Sequence, residues 1–444
     1  MSRPVETRAA RIKRWLRPGT GIKRWLVVVF LGELLLALAG ALVIRLAFRD
    51  VPDNSLAGQL FNFVSLQGIQ LWARPVVVLG AGLGIFFYGL WRLMNVLLEP
   101  FPARTEPLVE LVYQKRSLAR GPRLVAIGGG TGLSTLLRGL KEVSSNITAV
   151  VTVADDGGSS GKLRTELGIA PMGDIRMCIA ALADAEPTMT SLLQYRFPAA
   201  PGDNSGLAGH AFGNLLIAAL SDISGDFEEG VRLSNRVLAV RGQVVPVATV
   251  PLTLHAELAD GTQLEGQSAI ARSRGIRRVW ISPTPTPASE EAVAAIASAD
   301  LIVLGPGSLY TSLLPSLLVP EVAAALEAAT VPRVYVCNVA TQTGETEGYT
   351  LSEHMAALSA HGVGTLVDVV VANNNRGART PANYPAGPVQ IDLAPGEGSP
   401  RVVLADVVDD DNAHRHDPHK LTEVLMRLYD ERSSARTPTV ARSA

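Results

Sequence analysis

The sequence predicts an α/β protein with a Rossmann-like, mostly parallel sheet that is covered by helices on both faces and carries a small antiparallel hairpin insertion. Two transmembrane helices are predicted ahead of this domain. The first indication is residues 124–161, where two short apolar segments each lead directly into a glycine-rich turn and an amphipathic segment separates them. The second is a series of short, Val-rich, continuously apolar segments, which are typical of parallel strands buried on both faces. These strands are expected at 124–127, 147–154, 300–304, 333–337 and 366–372.

The N-terminal part of the chain predicts a membrane anchor. Residues 25–44 are apolar except for Glu33, and this stretch of 20 residues is long enough for a helix to cross the hydrocarbon layer. A second apolar stretch, 76–98, is interrupted only by Arg92 and Asn95 near its end. The alternative is a secretory signal peptide, but the first stretch is too long for one and a second stretch follows it.

The distribution of positive charge predicts the orientation of this anchor. Residues 1–24 carry eight Lys or Arg, whereas the connecting residues 45–74 carry three. The positive-inside rule therefore places the N-terminus in the cytoplasm, and two crossings return the chain to that side. The two cysteines, Cys178 and Cys337, suit a reducing compartment. We expect a multi-pass protein of the cell inner membrane or plasma membrane, with its N-terminus and its C-terminal domain in the cytoplasm.

Changes of composition divide the chain into successive parts. The predicted parts are a basic cytoplasmic segment (1–24), a transmembrane helical hairpin (25–98), a linker (99–122), a nucleotide-binding α/β domain (123–431) and a disordered tail (432–444). Within the domain, residues 243–267 alternate between polar and apolar around Asp260-Gly261, which predicts the antiparallel hairpin.

The first glycine-rich turn predicts a phosphate site. Its predicted nucleotide-binding residues are Gly128, Gly129, Gly130, Thr131 and Gly132. Glycines let a ligand approach the backbone closely, and a helix expected to begin near Leu133 offers unpaired N–H groups to an anion. The turn is not a P-loop, because no Lys follows it, and it is not a dinucleotide fingerprint, because Thr135 stands where the third glycine is required.

The loop after the second predicted strand brings acids and hydroxyls close to this turn. Its predicted nucleotide-binding residues are Asp155, Asp156, Ser159 and Ser160. Together with Asp174, Asp155 and Asp156 are candidates to hold Mg²⁺, which takes one or two carboxylates plus phosphate oxygens. The alternative is that Asp155 or Asp156 accepts backbone hydrogen bonds within its own turn.

Polar residues also follow the later predicted strands. A second strand, glycine turn and helix predict a second anion cradle at Gly305, Pro306, Gly307 and Ser308. In an open α/β sheet the ligand crevice lies beyond the carboxyl ends of the strands. The asparagines and threonine expected at such ends are Asn338, Thr341, Asn373 and Asn374.

Four further residues are candidates for ligand contact. His210 and Asn214 are expected to share one helical turn, where they would contact a substrate hydroxyl or act as a general base. The alternative for His210 is a satisfied core histidine. Tyr384 is a candidate to stack on a base, and Arg415 is a candidate phosphate ligand. The three histidines within 414–419 match no zinc-site spacing.

Together with the two glycine-rich turns within residues 124–161, four further segments of the chain resemble the gluconeogenesis factor family of bacterial proteins, which are relatives of 2-phospho-L-lactate transferase. The segments are Met172–Arg176, Gly209–Asn214, Gly305–Ser312 and Cys337–Thr346, and the resemblance covers roughly 124–430.

The resemblance implies a binding regulator that takes a nucleotide sugar such as a UDP-sugar and controls carbon metabolism, cell shape or cell-wall synthesis. It also implies an alternative, a Mg-dependent transferase that moves a phospholactyl-type group from a nucleoside-diphosphate donor to a deazaflavin-like acceptor. The net charge of −1 disfavours nucleic acid as a partner. A homodimer is a common state for such sheets, and the sequence does not identify other protein partners.

Overall fold

The computed structural model of the chain describes residues 116–184, 186–198, 206–379, 386–394 and 400–436, together with the isolated residues 33, 34, 37, 55, 56, 59, 70 and 80. The chain divides into two units, Met1–Gln114 and Lys115–Ala444. Apart from those isolated residues, the predicted membrane stretches 25–44 and 76–98 lie outside the described residues. The same holds for the basic segment 1–24, for Tyr384 and for residues 437–444 of the predicted tail.

The strands of the Lys115–Ala444 unit form one large parallel sheet and smaller antiparallel sheets. They are β1 (Leu124–Gly128), β2 (Ile147–Val151), β3 (Gln243–Pro246), β4 (Thr253–Leu258), β5 (Gln263–Glu265), β6 (Ile276–Ser282), β7 (Leu301–Leu304), β8 (Arg333–Val336), β9 (Val369–Asn373), β10 (Arg401–Ala405), β11 (Val408–Asp409) and β12 (Asn412–His416). Seven of them form one sheet in the order β10-β9-β8-β7-β1-β2-β3. All neighbours in this sheet run parallel, which confirms the predicted fold class.

Helices connect these strands. They are α1 (Gly130–Leu140), α2 (Gly158–Leu167), α3 (Gly173–Leu182), α4 (Glu186–Gln194), α5 (Phe212–Ser224), α6 (Phe227–Val237), α7 (Gln267–Ile270), α8 (Glu290–Ser298), a π-helical turn (Leu309–Leu313) that continues into α9 (Leu314–Leu317), α10 (Pro320–Ala328), α11 (Leu351–Ala360), a short 3₁₀ turn (Gly364–Leu366) and α12 (Pro418–Arg436).

The core lies between the sheet and these helices. Every residue of β1 and β7 is buried, as expected for central parallel strands. Helix α1 packs on the sheet through Leu133, Leu136, Leu137 and Leu140, all of which are fully buried. Their spacing places them on one face of a helix, and each such leucine stabilises the fold by about 1.5–3 kcal/mol.

The predicted hairpin at 243–267 is only partly correct. Strand β3, which begins it, does not join the hairpin but pairs in parallel with β2 at the edge of the main sheet. The antiparallel sheet has the order β5-β4-β6, and β6 was not predicted. The turn at Asp260-Gly261 is confirmed, since Asp260 accepts a hydrogen bond from Thr262 N and Gly261 has a φ of 86°. The alternation of polar and apolar residues does not indicate whether a strand joins the edge of the main parallel sheet or the antiparallel sheet.

The helix ends also test the sequence. Ser289 caps α8 by accepting from Ala292 N, and Asp417 accepts from the first amides of α12. Helix α1 begins at Gly130 rather than near Leu133, so the glycines form its first turn. Helix α12 continues to Arg436, past the predicted domain end at residue 431.

Within the described residues, no single helix combines the length and the apolar character needed to cross a bilayer. One pair of consecutive helices, Leu309–Leu317 and Pro320–Ala328, has that length and apolar character only when the two are taken together. Their axes are bent by 75° at the break between them.

Candidate functional site

A cavity of about 440 Å³ opens beyond the carboxyl ends of the central strands. Its walls come from the turn after β1, the turn after β7, the segment after β8, and strand β12. The lining residues are Gly129, Gly130, Thr131, Gly132, Thr135, Gly307, Ser308, Ser312, Asn338, Val339, Ala340, Thr341, Gln342, Asn412, His414, Arg415 and His416. Its volume suits a small-molecule ligand, and its position agrees with the crevice that the order of the sequence elements predicted.

The first glycine turn forms one end of the cavity. Because α1 begins at Gly130, its first amides have no acceptor inside the helix. One of them is already used, since the Gly130 amide donates to the carboxylate of Asp174. Gly128 and Gly129 are buried, whereas Thr131 is exposed and Gly132 is half-buried. The part of the predicted cradle that can meet a ligand is therefore mainly the backbone at Thr131 and Gly132.

The two glycine turns touch each other through their backbones. A Cβ on Gly132 would lie 2.6 Å from the carbonyl oxygen of Pro306, and one on Gly307 would lie 3.1 Å from that of Gly129. Gly305 has a φ of 79°, a conformation that side-chain-bearing residues rarely adopt. Glycine is therefore required at Gly132 and Gly305 for close approach and for backbone geometry.

Protein groups occupy part of the second glycine turn, which the sequence predicted as an anion cradle. Asn338 accepts from the Gly307 amide and donates to the Gly307 carbonyl, so both ends of its side-chain amide are occupied. The carboxylate of Glu345 accepts from the amides of Tyr310 and Thr311 and from the Thr311 hydroxyl. Protein groups thus take the amides of Gly307, Tyr310 and Thr311, so that less of the predicted cradle is open to a ligand.

A polar wall that the sequence did not predict faces these turns. Strand alternation places Asn412, His414 and His416 on one side of β12, and all three line the cavity together with Arg415. Arg415 is exposed, and among the described residues no carboxylate pairs with it. The run of histidines next to Arg415 was the signal in the sequence, but its role depends on how the chain returns to the sheet.

Gln342 is a second lining residue that the sequence did not single out. Its Nε2 lies 2.8 Å from the Ser308 hydroxyl, while its Oε1 is buried without a partner in the described part of the chain. Ser308, which was predicted, lines the cavity as expected. Thr341 also lines it, with its hydroxyl and its amide both directed to the carbonyl oxygen of Gly387.

The three candidate metal-binding acids do not come together. The carboxylate of Asp156 accepts from Ser268 N at 2.7 Å and so holds the antiparallel insertion. Asp155 and Asp174 lie near each other beneath Gly129 and Gly173. No group of three His, Cys, Asp or Glu side chains suited to a metal occurs in the residues that the structure describes. Any cation would have to rely on two carboxylates and on its ligand.

Burial perturbs both of these carboxylates. It raises the pKa of Asp174 to about 7, and the negative charge of Asp155 adds to this effect. Burial also raises the pKa of Asp155, against hydrogen bonds from Gly157 and Ser160. The Oδ2 of Asp174 is buried without a partner among the described residues, and Arg176 is a nearby cation. This oxygen is therefore the clearest unsatisfied acceptor beside the first glycine turn.

Four predicted residues form a buried cluster outside the cavity lining. Ser159 contacts His210 Nδ1 at 3.2 Å, and Asn214 donates to Ser159 and Ser160. Since α5 begins at Phe212, His210 precedes the helix, and the predicted shared helical turn is wrong. The alternative of a satisfied core histidine describes His210 better, because its side chain is only 2% exposed.

The remaining candidates have structural contacts instead. Asn373 bonds to the backbone of Asn375 and Val407, and neither Asn373 nor Asn374 lines the cavity. Their position at a strand end was correct, but β9 is the third strand from β1 in the sheet, beyond β8 and β7.

We expect Asp174→Asn to stabilise the protein near pH 8 more than near pH 5. With a folded-state pKa of about 7 against an ordinary 3.8, the folded chain keeps a proton in that window that the unfolded chain releases. The stability due to this group is therefore full below the ordinary pKa and is lost as pH rises through 7. Thermal melting at both pH values measures the effect, and an equal shift at both would contradict it.

Comparison with known proteins places these features in context. A family model described as 2-phospho-L-lactate transferase CofD matches residues 124–408. A protein of Nostoc sp. is 46% identical over 433 residues, which are 94% of this chain and 92% of that protein. The gluconeogenesis factor of Bacillus subtilis is 43% identical over 321 residues, which are 71% of this chain and 100% of that protein. A crystal structure of a UPF0052 family member from Bacillus halodurans has a TM-score of 0.63 and 42% identity, and the match covers 69% of this chain and 99% of that chain.

Proposed function

Because the chain belongs to the family of 2-phospho-L-lactate transferase CofD and the bacterial gluconeogenesis factors, we propose that it binds a nucleotide sugar, such as a UDP-sugar, and acts as a regulator of carbon metabolism, cell shape or cell-wall synthesis. The observation that carries the proposal is a single cavity in which a helix N-terminus and the exposed guanidinium of Arg415 meet neutral polar side chains.

The charges around the cavity favour a diphosphate. Arg415 is a lining residue, and no Asp or Glu is among the described residues that line the cavity. The first turn of α1 adds the partial positive charge of a helix N-terminus, and backbone amides there donate to anions. A guanidinium binds phosphate through paired, charge-assisted hydrogen bonds. The diphosphate would lie between Thr131, Gly132 and Arg415.

The rest of the cavity favours a sugar. Its described lining contains hydroxyl, amide and imidazole groups and no Phe, Tyr or Trp. Such walls offer hydrogen bonds to hydroxyl groups, whereas a broad flat ring would call for aromatic or apolar surfaces.

A Mg²⁺ ion fits this site only in a supporting role. Asp155 and Asp174 would hold it, since the unpartnered Oδ2 of Asp174 lies beside the glycine turn. The ion would neutralise diphosphate charge there, as Mg²⁺ does when one or two carboxylates and phosphate oxygens share it. We propose no role for Asp156 in holding it.

Arg415→Ala is expected to weaken UDP-sugar binding by roughly 10- to 100-fold, because a hydrogen-bonded charge contributes about 1.5–3 kcal/mol. Isothermal titration of the full chain in detergent measures this. Arg277→Ala is the matched control, since Arg277 is exposed and pairs with Glu257 on the antiparallel sheet instead of lining the cavity. If the wild-type chain binds no UDP-sugar, the proposed function is wrong.

We also propose that residues 25–98 anchor the protein in the membrane with the Lys115–Ala444 unit in the cytoplasm. The support is the two long apolar stretches and the excess of Lys and Arg in residues 1–24. Anchoring would raise the local concentration of the regulator near membrane-bound partners. Release of the protein from membranes by alkaline carbonate would contradict this.

A transferase remains the second candidate, because the matching family model carries that activity in its description and two buried acids lie beside the phosphate turn. The absence of aromatic rings from the described lining favours the regulator. Mass spectrometry after incubation with a deazaflavin and an activated phospholactyl donor distinguishes the two, since a transferred group would establish the enzyme.

A further inference from the structure

His416 uses only one of its two ring nitrogens within the protein. Its Nε2 lies 3.2 Å from the carbonyl oxygen of Cys337, at the end of β8. A carbonyl oxygen can only accept, so Nε2 must carry the proton. In the neutral ring this fixes the tautomer and leaves a lone pair on Nδ1. The structure therefore assigns Nδ1 of His416 as a hydrogen-bond acceptor.

The ring stays neutral under physiological conditions. Burial lowers the pKa of His416 to about 4, and the hydrogen bond to Cys337 opposes this only in part. The acceptor on Nδ1 is therefore available at neutral pH. Protonation would replace this acceptor by a donor, but only well below neutral pH.

His416 belongs to the cavity wall. His416 lines the cavity on the same side of β12 as Asn412 and His414. Its side chain is only 6% exposed, and no group in the described ranges donates to Nδ1. Gln342 lines the same cavity with a buried Oε1 that likewise has no donor from those ranges. A cavity with acceptors that the protein does not satisfy favours a ligand that supplies donors.

We propose that Nδ1 of His416 accepts a hydrogen bond from a hydroxyl group of the bound sugar and thereby selects for ligands with a donor at that position. This inference rests on the proposed binding of a nucleotide sugar and names a residue that distinguishes among such ligands. His416 is a specificity-determining residue in this view, since a site that pairs with a hydroxyl rejects the analogue that lacks it.

Two amide substitutions distinguish the roles of the two ring nitrogens of His416. In His416→Asn, the side-chain oxygen takes the place of the Nδ1 acceptor, while the donor to Cys337 is lost. In His416→Gln, the terminal NH₂ takes the place of the Nε2 donor, while the Nδ1 acceptor is lost. We expect the Asn variant to melt at a lower temperature and to keep its UDP-sugar affinity within about threefold. We expect the Gln variant to melt near the wild-type temperature and to lose roughly 10- to 100-fold in affinity.

Singly deoxygenated UDP-sugars provide a second measurement that does not depend on how well a variant folds. One of these analogues should bind the wild type more weakly than the parent sugar, and the Gln variant should not discriminate between the two. Equal affinity of both variants for UDP-sugar, or equal discrimination by the wild type and the Gln variant, would overturn the role of His416. A wild-type chain that binds no UDP-sugar would instead overturn the proposed function and this inference with it.

Discussion

Gly132→Ala is expected to disrupt the candidate site. The added Cβ would lie 2.6 Å from the carbonyl oxygen and 2.8 Å from the carbonyl carbon of Pro306. Both are backbone atoms, which cannot rotate away as a side chain can. The N-terminus of α1 and the second glycine turn must therefore separate, and this overpacking costs about 1–3 kcal/mol.

Gly132→Ala should weaken UDP-sugar binding more than it lowers the free energy of unfolding. Alanine is a better helix former than glycine by about 1 kcal/mol, which offsets part of the clash in the free energy of unfolding. Affinity has no such compensation, because the separation displaces the amides that would hold the diphosphate. We expect at least about a tenfold loss of UDP-sugar affinity, a difference of about 1.4 kcal/mol.

Gly387→Ala is the control for this substitution. A Cβ on Gly387 would meet no atom within 4 Å, and the residue does not have a positive φ. It should change the free energy of unfolding by less than about 0.5 kcal/mol and leave affinity unchanged. Denaturant unfolding and isothermal titration measure both quantities, and a Gly132→Ala variant that behaves like this control would show that the two turns need not touch.

Glu345→Ala should produce the largest loss of stability. The Glu345 carboxylate is almost fully buried and accepts from Tyr310 N at 2.6 Å, Thr311 N at 3.1 Å and Thr311 Oγ1 at 3.0 Å. Alanine would leave these buried donors without an acceptor, and each such group costs about 1–3 kcal/mol. We expect a loss of about 2–4 kcal/mol in the free energy of unfolding, measured by denaturant titration.

Glu345→Gln is the matched variant, because it keeps one acceptor oxygen and most of the side-chain volume. It should cost less than the alanine variant, and it should also remove a pH dependence. Burial raises the pKa of Glu345 to about 7 from an ordinary 4.5. The stability due to this group is therefore full below the ordinary pKa and is lost as pH rises through 7, and Gln removes that decline. Equal stability of the Ala and Gln variants would show that the carboxylate does not hold the π-helical turn.

The sequence predicted best where the structural cause is local. The Val-rich strands are buried because they are apolar along their whole length, and all five were found within a few residues of their predicted positions. Gly129, Gly130 and Gly132 lie at the cavity because a strand, a turn and a helix place them there. Each of these features depends on a few consecutive residues.

The second glycine turn shows where such reasoning is incomplete. Its sequence has the same order of strand, glycines and helix as the first turn, so both were predicted to cradle anions. Asn338, 31 residues from Gly307, accepts from the Gly307 amide, and Glu345, 35 residues from Tyr310, accepts from the Tyr310 amide. Composition could not reveal this, because the two side chains reach the turn only after β8 has paired with β7.

By itself, the sequence determined the α/β class and the family, and it predicted that the glycine turn after β1 and Arg415 contact a ligand. Only the tertiary structure decided that Asn338 and Glu345 occupy amides of the second turn, that Asp156 holds the antiparallel insertion, and that Asn412, His414 and His416 line the cavity. The physical reason is that hydrogen-bonding capacity is shared among residues distant in sequence. Whether an amide or a carboxylate remains available to a ligand therefore depends on which side chains the fold brings to it.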